Sequence, residues 1–151
     1  MAVTVNGTQH EALVEPRMHA ADFLRGVLGL TGTHVGCEQG VCGMCTVVVD
    51  DEAVKSCLLL APQLDGRRVE TVEGLAEGDE LSPLQQAFRE AHALQCGFCT
   101  PGFLMVATAL ERADRRGMGR EEIREEIAGV LCRCTGYDGI LTALERHLAD
   151  G

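Results

Sequence analysis

Two sets of four cysteines constrain the fold of this 151-residue chain more than any other feature of its sequence. The first set has the spacing C-x4-C-x2-C-x11-C, and the second joins a C-x2-C to a C-x-C that follows after 32 residues. The eight positions are Cys37, Cys42, Cys45, Cys57, Cys96, Cys99, Cys132 and Cys134. The N-terminal segment lacks a basic region followed by an apolar stretch and lacks paired arginines, so we expect a cytoplasmic protein. Because thiols stay reduced there, these cysteines are expected to bind metal rather than to form disulfides.

The spacing of the first set is the plant-type ferredoxin spacing for a 2Fe-2S cluster. Glycines recur beside the ligands in the segment 36–45, GCEQGVCGMC. A loop that folds tightly around bridging sulfides needs positive φ angles and backbone N–H groups that point at sulfur, and glycine permits both. Zinc also accepts four thiolates, although its sites usually show paired C-x2-C knuckles. The first set therefore favours a 2Fe-2S cluster, with zinc and disulfides as alternatives.

The second set is less specific on local grounds. A C-x2-C pair also occurs in zinc sites and in redox dithiols, so an iron-sulfur cluster, zinc and a dithiol remain alternatives. The two pairs precede the second and fourth predicted helices, whose N-termini can stabilise the negative charge of a cluster. The five histidines show no C-x-H pairing, which disfavours a Rieske centre because that centre needs two histidine ligands.

Hydrophobic periodicity divides the chain into a sheet-forming part, 1–76, and a helical part, 77–151, so that the fold class is α+β. In the first part, Asn6–Gly7 is a hairpin turn signal, and helical spacing later places four apolar residues on one face. Strands are expected at 3–5, 11–15, 46–49, 53–58 and 68–72, and the helix face consists of Ala21, Leu24, Val27 and Leu28. The pattern predicts a small mixed sheet crossed by one helix.

The second part follows a polar, glycine-containing linker at 75–81 and has helical periodicity. Ser82-Pro83-Leu84-Gln85 supplies an N-cap, a first-turn proline and a capping-box glutamine in order. Thr100-Pro101 repeats the cap and the proline before an apolar segment, which we expect to be buried. Helices are expected from 82, at 102–110, at 121–131 and at 138–148. Four short helices are therefore predicted in this part.

Charge and motif content exclude several classes of function. The chain has 13 basic and 23 acidic residues and a formal net charge of -10, which makes nucleic acid an improbable partner and disfavours an anionic membrane surface. Its longest apolar segment is about half the length that spans a bilayer, so no membrane insertion is expected. No dinucleotide fingerprint, nucleophile elbow or P-loop occurs. We assign no catalytic residue and expect no substrate turnover by this chain alone.

Three motifs together carry a family resemblance. They are GCEQGVCGMCTV at 36–47, QCGFCTPG at 95–102 and LCRCTGY at 131–137. A chain with these motifs in this order resembles the small iron-sulfur subunit of the molybdenum hydroxylases, the xanthine dehydrogenase family, in its three-subunit bacterial form. The resemblance implies a β-grasp, ferredoxin-like domain at 1–76 and a four-helix bundle domain at 77–151. It also implies two 2Fe-2S clusters, held by the eight cysteines.

The resemblance further implies partners and an electron path. In such enzymes a large subunit carries a molybdenum-pterin cofactor, expected here in its dinucleotide form, and a medium subunit carries FAD; the heterotrimer can pair again. The substrate is hydroxylated at molybdenum with water as the oxygen source. Electrons then pass through the helical-domain cluster and the ferredoxin-like cluster to the flavin. Gln95 and Cys134 are expected to touch the pterin, and Cys134 is expected to be a cluster ligand as well.

The segment 14–19, VEPRMH, resembles that of enzymes acting on N-heteroaromatic rings such as quinoline. An N-heteroaromatic substrate is therefore expected. Aldehydes and carbon monoxide are the other candidate substrates. Two other classes of function compete with the subunit hypothesis. The first is a free-standing, two-cluster ferredoxin-like electron carrier. The second is a zinc-stabilised interaction module with no redox role.

Overall fold

The N-terminal part of the protein is a mixed five-stranded sheet, as a computed structural model that describes residues 1–149 shows. The strands are β1 (Ala2–Val5), β2 (Thr8–Glu11), β3 (Thr46–Val49), β4 (Glu52–Lys55) and β5 (Arg68–Glu70), in the spatial order β2-β1-β5-β3-β4. β1 runs parallel to β5, and the other three neighbouring pairs are antiparallel. This arrangement confirms the predicted small mixed sheet.

One helix crosses the sheet, and its buried face differs from the prediction. Helix α1 (Ala20–Asp22) continues as a π-helical turn over Phe23–Val27, closed by a hydrogen bond from the Leu28 N–H to the Phe23 carbonyl. A π turn contains more residues than an α turn, so the apolar face shifts along the sequence. Phe23 therefore joins the core, whereas Val27 is half-exposed. The buried core of the sheet consists of Val3, Val5, Ala20, Phe23, Leu24, Val47, Ala61, Leu64 and Val69.

Three strand boundaries also differ from the prediction. Asn6 and Gly7 both have positive φ, 48° and 78°, and the tight turn that they form lets β2 begin at Thr8 instead of residue 11. After β4, the expected strand at 53–58 ends at Lys55, and a 3₁₀ turn over Ser56–Leu58 replaces its second half. The final strand likewise ends at Glu70, before a 3₁₀ turn over Val72–Gly74.

Four helices form the C-terminal part: α2 (Pro83–Glu90), α3 (Thr100–Arg112), α4 (Arg120–Glu126) and α5 (Asp138–Ala149). The Ser82 capping box is confirmed, since the Gln85 N–H donates to Ser82 Oγ and the Ser82 N–H donates to Gln85 Oε1. The predicted cap at Thr100 is wrong. Cys99 holds the N-cap position, and Thr100 begins the helix with a buried hydroxyl that has no hydrogen-bond partner within residues 1–149.

Helix α4 is shorter than predicted. It ends at Glu126 and is followed by a 3₁₀ turn over Ile127–Gly129, which leaves Leu131 exposed beyond it. The second predicted domain includes residues 150 and 151, which lie outside the described residues. Within residues 1–149, none of the helices combines the length and apolarity needed to cross a bilayer.

Helix α3 connects the two parts of the molecule. It is buried along most of its length, as its apolar sequence predicts, and it lies against β3. On one side it contributes to the helical core around Phe88, Phe103 and Ile123. On the other side Met105 and Ala109 pack on Val48 of the sheet. The loop that precedes α3 is therefore held close to the sheet.

Candidate metal centres

The first set of cysteines meets at one end of the β3–β4 hairpin. Cys37, Cys42 and Cys45 lie on the loop before β3, and Cys57 lies on the 3₁₀ turn after β4. The hairpin fixes this meeting, because the Ser56 N–H and hydroxyl both donate to the Cys45 carbonyl, at 3.2 and 2.7 Å. Three of the four thiols therefore lie on one loop, and Cys57, within the segment expected to be a strand, lies just beyond the end of that strand. All eight cysteines of the chain are free thiols.

Backbone amides stabilise the thiolate of Cys37. The Cys42 N–H donates to Cys37 Sγ at 3.4 Å. Backbone hydrogen bonds from Cys42 and then Gln39 lower the pKa of Cys37 to about 6, and burial opposes them only in part. The loop turns through the positive φ angles of Glu38, Gly40 and Gly43. A thiolate is the ligand form that iron requires, so the amides of this loop stabilise that form.

The four thiols of this site form two close pairs. The Cys42 side chain acts on the pKa of Cys37, and the Cys45 side chain acts on the pKa of Cys57. Burial, followed by the Cys45 side chain, raises the pKa of Cys57 to about 11. Two pairs of thiols suit a two-iron cluster, in which four thiolates are divided between two irons.

The second set joins the loop before α3 to the segment before α5. Cys134 Sγ lies 3.6 Å from Cys96 Sγ. Burial, followed by the neighbouring Cys132 side chain, raises the pKa of Cys99 to about 12. The contact with Cys96 raises the pKa of Cys134. This site therefore also consists of two thiol pairs, although its halves are far apart in sequence.

Side chains around Cys132 organise the second site. Thr135 Oγ1 lies 3.1 Å and Thr135 N lies 3.5 Å from Cys132 Sγ, and the Cys132 N–H donates to Tyr137 Oη at 2.9 Å. Burial acts to raise the pKa of Cys132, but the hydrogen bonds led by Thr135 outweigh it, so the pKa is lowered. The Tyr137 ring packs edge-on against Phe103, with centroids 6.1 Å apart. Sequence reasoning missed Thr135 and Tyr137, although both stand in the LCRCTGY motif.

The donor chemistry fits a pair of 2Fe-2S clusters. Each site offers four thiols, and thiolates are the usual ligands of such clusters. Within residues 1–149, no group of three or more Cys, His, Asp or Glu side chains is close enough to hold a single metal ion. At each site the thiols interact most strongly in twos, which suits a cluster in which each iron takes two thiolates.

The two sites are joined through the backbone. The Leu131 N–H, one residue before Cys132, donates to the Cys42 carbonyl at 2.9 Å. This approach depends on glycine: a Cβ at Gly43 would lie 2.1 Å from the Gly129 carbonyl oxygen, and a Cβ at Gly102 would lie 2.6 Å from the Gly43 oxygen. Only residues without side chains fit where the two ligand segments meet.

A second contact between the sites involves two rings. His34, just before the first loop, stacks on Phe98 of the Cys96–Cys99 loop with centroids 4.8 Å apart and planes 11° apart. His34 Nδ1 lies 2.8 Å from the Phe98 carbonyl, which can only accept, so Nδ1–H is the donor. The contact of His34 with the second site was not predictable from sequence spacing.

Lys55 supports the first loop from the end of β4. Its ammonium group donates to the Gly40 carbonyl at 2.7 Å, and the side chain is partly buried. Burial of a lysine stem with its charge directed at a loop carbonyl fixes that loop against the hairpin. Lys55 was not singled out from the sequence, because nothing in the local pattern distinguishes it from a surface lysine.

Gln95 lies at the outer rim of the second site. It is exposed and directly precedes Cys96, which is also exposed and contacts the exposed Cys134. Cys99, by contrast, is buried. Gln95 and Cys134, the two residues expected to touch a pterin, therefore both lie on the exposed side of the second site.

Comparison with known families matches both parts of the chain. Residues 3–82 match the family described as 2Fe-2S iron-sulfur cluster binding domain, and residues 71–145 match the [2Fe-2S] binding domain. Together the two matches include both sets of cysteines.

Individual relatives are similar over nearly the full length. The chain is 53% identical over 147 residues to caffeine dehydrogenase subunit gamma of Pseudomonas sp. (strain CBB1), covering 96% of this chain and 88% of the relative. It is 54% identical over 142 residues to the nicotine 6-hydroxylase small subunit of Paenarthrobacter nicotinovorans, covering 94% and 85%. The crystal structure of quinoline 2-oxidoreductase from Pseudomonas putida 86 contains a chain 51% identical, with a TM-score of 0.91 and coverage of 96% and 89%.

Proposed function

Because the chain belongs to the small 2Fe-2S subunits of the molybdenum hydroxylase, or xanthine dehydrogenase, family, we propose that it relays electrons from a molybdenum-pterin centre to FAD. The observation that carries this proposal is the hydrogen bond from the Leu131 N–H to the Cys42 carbonyl. It places two thiol sites in direct backbone contact. A chain that brings two such sites together suits electron transfer.

The ligand assignment is part of the proposal. The first cluster is held by Cys37, Cys42, Cys45 and Cys57, and the second by Cys96, Cys99, Cys132 and Cys134. When bound, each 2Fe-2S cluster takes up and releases one electron. The assignment is supported by the two thiol pairs at each site and by the amide hydrogen bonds to Cys37. The first cluster lies in a β-grasp domain, 1–76, and the second in a four-helix domain that begins at 77.

The partners follow from which ligands are accessible. The exposure of Gln95 and Cys134 supports their contact with the pterin of a large, molybdenum-binding subunit. The exposed apolar residues Val41 and Leu58 flank the first site and support docking of a medium, FAD-binding subunit there. Free thiolate ligands suit a reducing compartment, which supports the cytoplasm as the location. The substrate is proposed to be an N-heteroaromatic compound, in line with the caffeine, nicotine and quinoline in the relatives' names.

Metal analysis and EPR spectroscopy test the function. The purified complex should contain about four irons per copy of this chain and two distinguishable signals of reduced 2Fe-2S clusters. Cys42→Ser should remove only the first signal, and Cys99→Ser should remove only the second. A wild-type chain with a single signal, or with zinc and no acid-labile sulfide, would contradict the two-cluster assignment.

Size-exclusion chromatography distinguishes a subunit from a free carrier. A subunit elutes with two larger chains, whereas a carrier elutes near 16.2 kDa. Cys42→Ser should also stop electron delivery to flavin while molybdenum stays bound, because the relay is interrupted downstream of the molybdenum centre. Unchanged turnover with a normal flavin acceptor would contradict the proposed path.

A further inference from the structure

The hydroxyl of Thr135 is held between two groups of the second site. Its oxygen accepts a hydrogen bond from the Tyr137 N–H at 3.1 Å and lies 3.1 Å from Cys132 Sγ. A hydroxyl has one proton to donate, and the Tyr137 amide uses only the oxygen's acceptor capacity. The proton of Thr135 is therefore available for the sulfur.

The direction of this hydrogen bond is fixed once Cys132 acts as a ligand. An iron-bound cysteine is a thiolate with no proton, so the sulfur can only accept. Thr135 donates a second hydrogen bond to the same sulfur through its backbone N–H, at 3.5 Å. The sulfur then receives one hydrogen bond that a substitution can remove and one that it cannot.

Neighbouring residues keep the hydroxyl in place. The Cys132 N–H donates to Tyr137 Oη at 2.9 Å, and the Tyr137 ring packs edge-on against the buried Phe103. Thr135 itself is half-buried. A donor with this support does not need to reorganise when the charge on the sulfur changes.

A hydrogen bond to a ligand sulfur acts differently on the two redox states. Reduction adds a negative charge to a cluster, and a donor to its sulfur stabilises the more negative state. At the first site, backbone amides donate to sulfur: the Cys42 N–H lies 3.4 Å from Cys37 Sγ, and the amides of Gln39 and Gly40 act on Cys37 and Cys57. A side-chain hydroxyl at the second site is therefore a local means of separating the two potentials.

We propose that Thr135 is a positioning residue that raises the reduction potential of the second cluster by donating its hydroxyl hydrogen to Cys132 Sγ. The inference rests on the ligand assignment proposed above. Its effect is confined to the second cluster, because the hydroxyl contacts no cysteine of the first. Thr135 thus favours acceptance of electrons at the site nearer the proposed pterin contact.

Redox titration of the purified complex, followed by the EPR signals of both clusters, tests this inference. Thr135→Val removes the hydroxyl and keeps the branched shape. At a fixed ambient potential the reduced-to-oxidised ratio of the second cluster should fall about tenfold, which corresponds to about 59 mV for one electron. The first cluster in the same sample is the internal control, and its ratio should not change. Thr135→Ser keeps a hydroxyl and should retain the wild-type ratio.

Thr135→Ala serves as a second variant if the valine variant loses its cluster, since alanine removes the hydroxyl and adds no methyl group. A wild-type ratio in both hydroxyl-free variants, or an equal shift of both clusters, would overturn the inference. Iron content is measured first. If the wild-type complex holds both clusters and the Thr135 variants leave the potential of the second cluster unchanged, only this inference is refuted. If the wild-type complex lacks the second cluster, the ligand assignment is refuted.

Discussion

The two cysteine sites differ in how the chain assembles them. Three members of the first set lie within nine residues of one loop, and backbone amides stabilise the Cys37 thiolate. The second set comes from two segments separated by 32 residues, which tertiary packing around α3 and α5 brings together. There a side chain, Thr135, makes the shortest described contact with sulfur. A local site depends on loop conformation, whereas a non-local site depends on helix packing.

The sites also differ in exposure. Three of the first four cysteines are buried, whereas only Cys99 is buried in the second set and Cys96 and Cys134 are exposed. Solvent exposure is one of the factors that set the potential of a cluster. The first site is therefore largely enclosed by the chain, whereas the second is partly open to solvent.

The largest loss of stability is expected from substitutions at the backbone contact that joins the two sites. Gly43→Ala and Gly97→Ala both place alanine at positive φ, 73° and 81°, which costs about 1–2 kcal/mol in each case. Only at Gly43 does the new Cβ meet backbone, the Gly129 oxygen at 2.1 Å, which adds about 1–3 kcal/mol or more. Thermal unfolding of the full chain should show a larger loss of stability for Gly43→Ala than for Gly97→Ala. Equal losses would mean that the two segments can separate at little cost.

A smaller effect is expected at Lys55, which supports only the first site. Lys55→Met keeps the apolar stem and removes the donor to the Gly40 carbonyl. The lost charge-assisted hydrogen bond contributes about 1.4 kcal/mol, which corresponds to a factor of about ten. A chelator should therefore remove iron from the first cluster of Lys55→Met about tenfold faster than from the wild-type protein. The EPR signal of the second cluster serves as the control in the same sample. Equal acceleration at both sites would show that Lys55 stabilises the whole fold instead of the loop.

The smallest effect is expected for the ring pair across the sites. His34→Ala and Phe98→Ala each remove one ring of the stack, and the double variant removes both. A double-mutant cycle on the free energy of unfolding should give a coupling of about 1 kcal/mol. Additive losses would show that the rings lie side by side without stabilising the contact between the sites.

Much of the fold was predictable because its signals are local. The Ser82 capping box, the Asn6–Gly7 turn and the burial of α3 all follow from short patterns. The prediction that Val27 lies on the buried face was wrong because a π turn changes the helical period. The residue types in that segment do not indicate a π turn. The cap at Thr100 failed because Cys99 takes the N-cap position.

In the candidate sites, the grouping of the first four cysteines was predictable from the sequence, but the residues that support the cysteines were not. Cysteine spacing groups the first site without reference to tertiary structure, and the structure does bring those thiols together. The roles of Thr135, Lys55 and His34 arise from contacts across the fold, and such contacts leave no periodic pattern in sequence. Side chains that support ligands are therefore harder to predict than the ligands.

The glycine contact between the sheet-forming and helical parts also limits how this sequence can change in evolution. Gly43 lies in the sheet-forming part and Gly102 in the helical part, and a Cβ at either position would meet the backbone of the other part. A chimera that takes its first domain from one relative and its second from another must inherit small residues on both sides of the contact. The two cluster-binding halves are therefore expected to be inherited and exchanged as one unit.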